Sequence, residues 1–448
     1  MSNCDTQKKA FRKVLELKGN IALLGIGGIG MSALASLMQS KGIKVLGFDK
    51  KCNRETARLL REGISVTVPE TKHLPDGVDA VLYSLAIDDK HPLLTDAKRK
   101  RLPILSRAEF LSLLSENYEK RIIVAGTHGK STVTAMLAKI FSEAGKAPTV
   151  LCGAEMENGS PFLLGSNKLL IAEGCEYKRA FLSFQPTTAV VLNAEWDHPD
   201  VYKGKEEARE AFLSFLSLPT VKLSVTGEDI GRGAVFSIHN GDLYARDLTY
   251  SDGYGIFTPV FFGTPLPRLR LSVLGEHNVK NALAALLVAL LHGISPEKAI
   301  DALSRFTGVK RRMEYKGRLH GARVYDDYAH HPTELFAAIK TAREITSGKL
   351  FLIFESHTYS RTATFFSEFA AAMRAADCVF VTDIFAAREQ NECGVSAASL
   401  AEAAGGSHLK DLSVLPALLT NAVGPGDTVL FCSAGDLSGI IGDLPLEM

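Results

Sequence analysis

The chain has 448 residues, of which 46% are hydrophobic, and a formal net charge of +1. That length predicts roughly three domains of about 150 residues each, with enough apolar side chain for true cores. The even charge balance argues against nucleic-acid binding and against adhesion to a membrane surface, both of which favour a basic excess.

No apolar run approaches the ~20 residues that span a bilayer, and the opening MSNCDTQKKAFRK is too polar for a secretory signal. The seven cysteines (Cys4, Cys52, Cys152, Cys175, Cys378, Cys393, Cys432) are scattered, and none forms a C-x-x-C pair. This argues against structural zinc and for a reducing, cytoplasmic setting.

After a charged helical lead, NIALLGIGGIG reads as a buried strand entering a glycine turn. MSALASLMQSKG follows as a helix and IKVLGFDKK as a second strand, which makes a βαβ unit. Gly25, Gly27, Gly28 and Gly30 form G-x-G-G-x-G, and Asp49 lies 19 residues beyond Gly30, at the end of the next strand. Such a turn lets amides converge on a diphosphate while the acid takes a ribose hydroxyl. The structural alternative is a tight turn and nothing more. DAVLYSLAI is expected as a strand to residue 87, LPILSRAEFLSLLSE as a strand and helix, and ENYEKR (116–121) as a linker. The first domain is therefore expected over 1–117.

The second domain, expected over 118–308, opens with RIIVAGTHGKST (121–132). An apolar strand ends in glycines, and Lys130 and Ser131 stand at the mouth of a helix. Backbone amides and the helix N-terminus suit phosphates, Lys130 reaches the outer ones, and Ser131 suits Mg²⁺. Val124 stands where the strict Walker pattern has glycine, so this is a short variant. Val133, Met136, Leu137, Ile140 and Phe141 share one helical face, and Gly145 is a natural stop.

Two apolar runs, LLIAEGCEY and TTAVVLNAEWDH, end in Glu173, Glu176, Asp197 and His198 at the strand edge where α/β proteins build sites. Beside a phosphate loop, Glu173 and His198 are the candidates for holding Mg²⁺. Residues 220–273 alternate between turn signals and read as antiparallel β structure. In GEHNVKNA, Asn278 suits helix capping, with a purine edge as the other reading.

The third domain, expected over 309–448, is again α/β, with strands ARVYDDYA, KLFLIFESH, CVFVTDIF and TVLFCSAGD. GVKRRMEY carries Lys310, Arg311 and Arg312 at the boundary. It is either a solvated charge run or the source of a cation completing a phosphate site across domains. Asp327 and His330 in YDDYAHHPTE suit polar contacts to a ligand. The adjacent His330 and His331 face opposite ways on an extended chain and make a poor pair for one metal. Arg361 in ESHTYSRT suits a carboxylate, with His357 and Tyr359 nearby. Asp383, Arg388 and Asp436 lie on the same rim.

Together, GxGGxGMSALA, AGTHGKST, a strand ending in Glu, NAEWDH, GEHNVKNALAA, GVKRRME, DDYAHHPTE and HTYSRT occur in the order seen in one family. From about residue 20 to residue 440 the chain resembles the Mur ligases, and most of all their alanine-adding branch. The resemblance implies three α/β domains: an N-terminal Rossmann-like one, a central P-loop ATPase with a parallel sheet plus antiparallel strands, and a C-terminal Rossmann-like one. It implies ATP and Mg²⁺ as cofactors, and UDP-N-acetylmuramate and L-alanine as substrates. The carboxylate is phosphorylated to an acyl phosphate, which the amine then attacks. It also implies a cytoplasmic monomer or weak homodimer, without nucleic acid or membrane insertion.

Carried over by position, Gly126, Thr127, His128, Gly129, Lys130, Ser131 and Thr132 hold the ATP phosphates, with Asn278, Arg312 and Asp327 as further ATP contacts. Ser131, Glu173 and His198 form the metal shell, and Lys130, Glu173 and His198 the catalytic set. Gly25, Gly27, Gly28, Ile29, Gly30, Ser32 and Asp49 take the UDP substrate. His330, His357 and Arg361 serve the amino-acid and muramate side.

Three departures stand out. Cys175 replaces an acid of the usual Glu-Ala-Asp-Glu, Thr358 stands where many members carry Arg, and EAREAFLSFL lacks the lysine that some members modify to a carbamate. The last fits the alanine-adding branch. The competing readings are a recycling ligase that adds a tripeptide, a nicotinamide-dependent dehydrogenase suggested by GIGGIG and Asp49, and a nucleotide-binding regulator with a decayed site. The dehydrogenase reading leaves the second phosphate loop unexplained. Because Lys130 and Arg361 fall on different domains yet serve one reaction, the third domain is expected to close onto the second.

Overall fold

The computed structural model describes residues 3–387, 389–435 and 437–447, with side chains from residue 6 onward. Arg388 and Asp436 lie outside the described residues.

Asn20–Leu24 is buried along almost its whole length, as expected for a strand covered on both faces. It lies at the centre of five parallel strands, in the order 65–67, 44–48, 20–24, 80–83, 104–106. The strand order reverses beside it, so the turn at Gly25 opens at the switch point where such sheets bind ligands. The strand expected to reach residue 87 stops at Tyr83. Ser84 to Ile87 form a turn, closed by Ile87 N–H donating to the Ser84 carbonyl. The apolar run continues because Ile87 packs over Gly25 instead of entering the sheet.

The expected linker also shortens. Tyr118 is buried, and Lys120 and Arg121 already belong to the strand Lys120–Ala125. One apolar cluster runs from Leu23 and Met31 through Tyr118 to Ile123 and Phe212, so the first two units share a core.

In the second unit, Lys120–Ala125 lies between Leu169–Glu173 and Thr188–Val191 in a parallel array. The antiparallel reading of 220–273 needs correction. Leu223–Gly227 and Ala234–Ser237 extend the parallel array, and antiparallel pairing begins only between Leu243–Ser251 and Tyr254–Phe261. Short strands carry no sequence mark of their direction, since alternation reports which face is buried and nothing about the neighbour. Helices Lys130–Glu143 and Glu276–Leu291 pack together over one face of this sheet.

Among the described residues the third unit has six strands, in the order 314–319, 322–327, 428–433, 350–355, 378–382, 407–409, and of these only the first is antiparallel. No helix among the described residues is long and apolar enough to cross a membrane.

Candidate active site

The strand Lys120–Ala125 delivers its chain to Gly126 and Gly129, whose φ angles are +139° and +84°. Gly129 caps the helix Lys130–Glu143 with no side-chain acceptor, so the helix N-terminus stays open to an anion. A Cβ at Gly129 would collide with Asn281 Oδ1. The segment after the neighbouring strand Thr188–Val191 pins the loop. His128 N–H donates to Asn193 Oδ1 at 2.9 Å, and the Thr127 hydroxyl to the Glu195 carbonyl at 2.8 Å.

Lys130 Nζ folds back onto the Gly126 and Thr127 carbonyls (2.7 and 2.9 Å) and meets Glu176 Oε2 at 2.9 Å. Burial works against the ammonium, but Glu176, with Cys175 and Glu173, keeps its pKa above the usual value. The same pairing outweighs burial at Glu176 and lowers that carboxyl to about 2.

His198 Nε2 stands 3.5 Å from Glu176 Oε1 and 3.7 Å from Asp197 Oδ2. Glu176, Asp197 and His198 thus offer three ligand atoms within 4.8 Å of one another. That grouping differs from the expected shell of Ser131, Glu173 and His198. Glu173 is outside the trio, with its carboxylate accepting from the Gly153 amide. Ser131 is buried in the first helical turn. The strand ends at Glu173, and Glu176 caps the 3₁₀ segment Tyr177–Ser183 that follows, beside Lys130.

The third unit closes over this edge. Arg361 grips Asp197 with two hydrogen bonds, Nε to Oδ1 at 2.8 Å and Nη2 to Oδ2 at 3.1 Å, with both side chains buried. Despite burial, Arg361 holds the Asp197 carboxyl well below the usual range. The carboxylate Arg361 meets here is therefore one from the second unit. Its Nη1 lies 3.0 Å from His357 Nδ1.

Thr333 donates to Glu195 at 2.6 Å, and His331 Nε2 lies 3.2 Å from the Trp196 carbonyl. His330 instead meets the Tyr328 carbonyl, and burial lowers its pKa to about 4. The adjacent histidines thus have separate partners. Asp383, the remaining rim acid, is hydrogen-bonded to His408 at 2.8 Å.

Between the second and third units lies a cavity of about 530 Å³ that His128, Gly129, Asn281, Arg312, Asp327 and Phe336 help to line. Arg312 belongs to this cavity, 3.4 Å from Glu334, and is not a freely solvated charge. Asp327 ties the segment before its strand hairpin to the one after it by accepting from the Met313 and Ala329 amides, both at 2.7 Å. Burial raises its carboxyl to about 6.

Capping by Asn278 is corrected: Gly275 is the cap of Glu276–Leu291. Asn278 sits within the first turn, donating to the Leu274 carbonyl and accepting from Asn281. Motif reading passed over Glu195 and Glu334. They flank His128 at 3.5 and 3.1 Å and, against burial, raise its pKa to about 9.

At the first glycine turn, Asp49 Oδ2 accepts from the Gly27 amide at 2.8 Å, and the Ser32 hydroxyl donates to Glu55 at 2.6 Å. Gly28 caps the helix Ile29–Ser40 without a side-chain acceptor.

Three family profiles match the chain: "Mur ligase family, catalytic domain" over residues 20–119, "Mur ligase middle domain" over 124–289 and "Mur ligase, glutamate ligase domain" over 311–435. The UDP-N-acetylmuramate–L-alanine ligase of Clostridium kluyveri is 36% identical over 437 residues, 93% of this chain and 96% of that protein. The enzyme of the same name from Caldanaerobacter subterraneus subsp. tengcongensis is 35% identical, over 94% and 96%. Among solved structures, the UDP-N-acetylmuramate-alanine ligase of Thermotoga maritima superposes with a TM-score of 0.84 at 28% identity, covering 95% of this chain and 98% of that one. The chain belongs to the Mur ligase family.

Proposed function

We propose that this protein joins L-alanine to UDP-N-acetylmuramate at the expense of ATP, a step of peptidoglycan precursor synthesis. The observation that carries this reading is the open helix N-terminus at Gly129–Lys130, facing a cavity that the third unit closes with Arg312 and Asp327. The alanine-adding relatives, matched over nearly their whole length, supply the substrate class.

The division of labour follows the three units. Residues 1–117 bind the UDP substrate, 118–308 bind ATP, and 309–448 bring the amino acid. ATP phosphates lie along Gly126–Thr132, with Asn278, Arg312 and Asp327 around the nucleotide. The lactyl carboxylate oxygen bonds to the γ-phosphorus as the bond to the ADP oxygen breaks. The amine then bonds to the carbonyl carbon, gives up a proton, and phosphate leaves with the C–O electron pair.

Both reactants of the first step are anions, so positive charge must separate them. Lys130 supplies it by exchanging Glu176 for the phosphates. Glu176, Asp197 and His198, with Glu173 and Ser131 alongside, fit Mg²⁺: mostly hard oxygen donors, closely spaced, with phosphate oxygens and water to fill the remaining positions of an octahedron. Mg²⁺ bound there adds charge neutralisation at the phosphates. His330, His357 and the Nη1 edge of Arg361 face the amino-acid and muramate side. The reading includes a cytoplasmic monomer or weak homodimer, which sedimentation at graded concentration checks.

Phosphate release with UDP-N-acetylmuramate and a panel of amino acids and peptides tests the proposal. Release that requires L-alanine is the expected result. Release with a tripeptide alone would favour the recycling activity, and turnover of NADH without phosphate release would end the ligase reading.

A further inference from the structure

Arg107 belongs to none of the motifs. It follows Ser106, which with Glu109 forms a capping box at the start of the helix Arg107–Ser115. The strand before it, Ile104–Ser106, pairs with Ala80–Tyr83, which in turn pairs with Asn20–Leu24. From that position the side chain crosses the carboxyl edge of the sheet to the glycine turn. A Cβ built on Gly30 would stand 2.6 Å from Arg107 Cζ and Nη2 and 2.7 Å from Nε.

Arg107 Nε is buried and has no hydrogen-bond partner among the described residues. Two carboxylates around the glycine turn have partners of their own: Asp49 the Gly27 amide, and Glu55 the Ser32 hydroxyl and Arg58.

A buried guanidinium donor without an acceptor is costly unless an anion completes it. The first turn of Ile29–Ser40, without a side-chain cap and at the positive end of the helix dipole, favours an anion at the same place. We propose that Arg107 clamps the diphosphate of the nucleotide-sugar substrate against the turn Gly28–Gly30, and that Gly30 is glycine to let the guanidinium lie there. This rests on the reading of the first unit as the UDP-substrate unit. The diphosphate is the favoured anion because the guanidinium touches the turn itself, whereas the carboxylate to be phosphorylated must lie by Lys130.

Titration of the full chain with UDP-N-acetylglucosamine, which has the diphosphate but no lactyl carboxylate, and with uridine, which has neither, separates the possibilities. Arg107→Met is expected to weaken UDP-N-acetylglucosamine roughly 10- to 150-fold, the loss of a charge-assisted hydrogen bond. Uridine and a non-hydrolysable ATP analogue should bind as before. Gly30→Ala should reproduce the loss with Arg107 in place, and it carries the test if Arg107→Met does not fold. Unchanged UDP-N-acetylglucosamine affinity in a folded variant overturns the proposal, as does an equal loss for uridine. If the unmodified chain binds ADP-ribose but not UDP-N-acetylglucosamine, and Arg107→Met loses ADP-ribose, the UDP reading falls and the diphosphate clamp stands.

Discussion

Removing the Lys130 ammonium leaves Glu176 buried without its main counter-charge and, on the proposed function, leaves the ATP phosphates without a cation. Lys130→Ala should therefore lower phosphate release by about 10²–10³-fold or more, the scale of a lost transition-state donor. Affinity for a UDP-sugar should stay within about twofold, because that ligand is assigned to another unit. Loss of both, with the fold intact, would refute the assignment.

His128 makes a second prediction at this scale. Its carboxylate neighbours Glu195 and Glu334 raise the pKa from 6.5 to about 9, so the folded protein holds a proton that the unfolded chain gives up more easily. The stabilisation is complete below pH 6.5 and is lost as pH rises through about 9. The difference in melting temperature between the parent and His128→Gln should shrink over that window. A pH-independent difference would mean that packing against His331, and not charge, sets the contribution.

At the level of elements, the phosphate loop depends on backbone conformations that glycine alone adopts freely. Gly129→Ala would place a Cβ at φ +84° against Asn281, a strain of about 1–2 kcal/mol before the clash is counted. Calorimetry should show a lower melting temperature and at least a tenfold loss of ATP-analogue affinity, with UDP-sugar binding retained. Unchanged nucleotide affinity would show that the loop tolerates a shifted cap.

Element ends were harder to read than element centres. Leu85, Ala86 and Ile87 continue an apolar run after Tyr83, yet Ile87 covers Gly25 while the chain turns. Hydrophobicity reports burial, and burial over a site looks the same in sequence as burial in a sheet.

Over the whole molecule, the second and third units meet through Asp197–Arg361, Glu195–Thr333 and the Trp196 carbonyl with His331. Asp197→Asn removes the charge facing a buried guanidinium, a loss of about 3–5 kcal/mol from this contact when one partner of such a pair goes. Solution scattering should show the parent compacting with ATP analogue and UDP-substrate, and the variant remaining expanded. Equal compaction would mean that the ligands, and not this ion pair, hold the units together.

The strand, turn and helix around Gly25–Gly30 and around Gly126–Lys130 were legible because their causes are local. Periodicity, a positive φ and an open helix end are written in a dozen consecutive residues. The pairing of the site was not local. Arg361 meets an acid 164 positions away, Glu176 and Asp197 come together beside His198, and Arg107 reaches Gly30 across an intervening strand. Each depends on where a side chain points after separate units have packed, and no spacing along the chain encodes that direction.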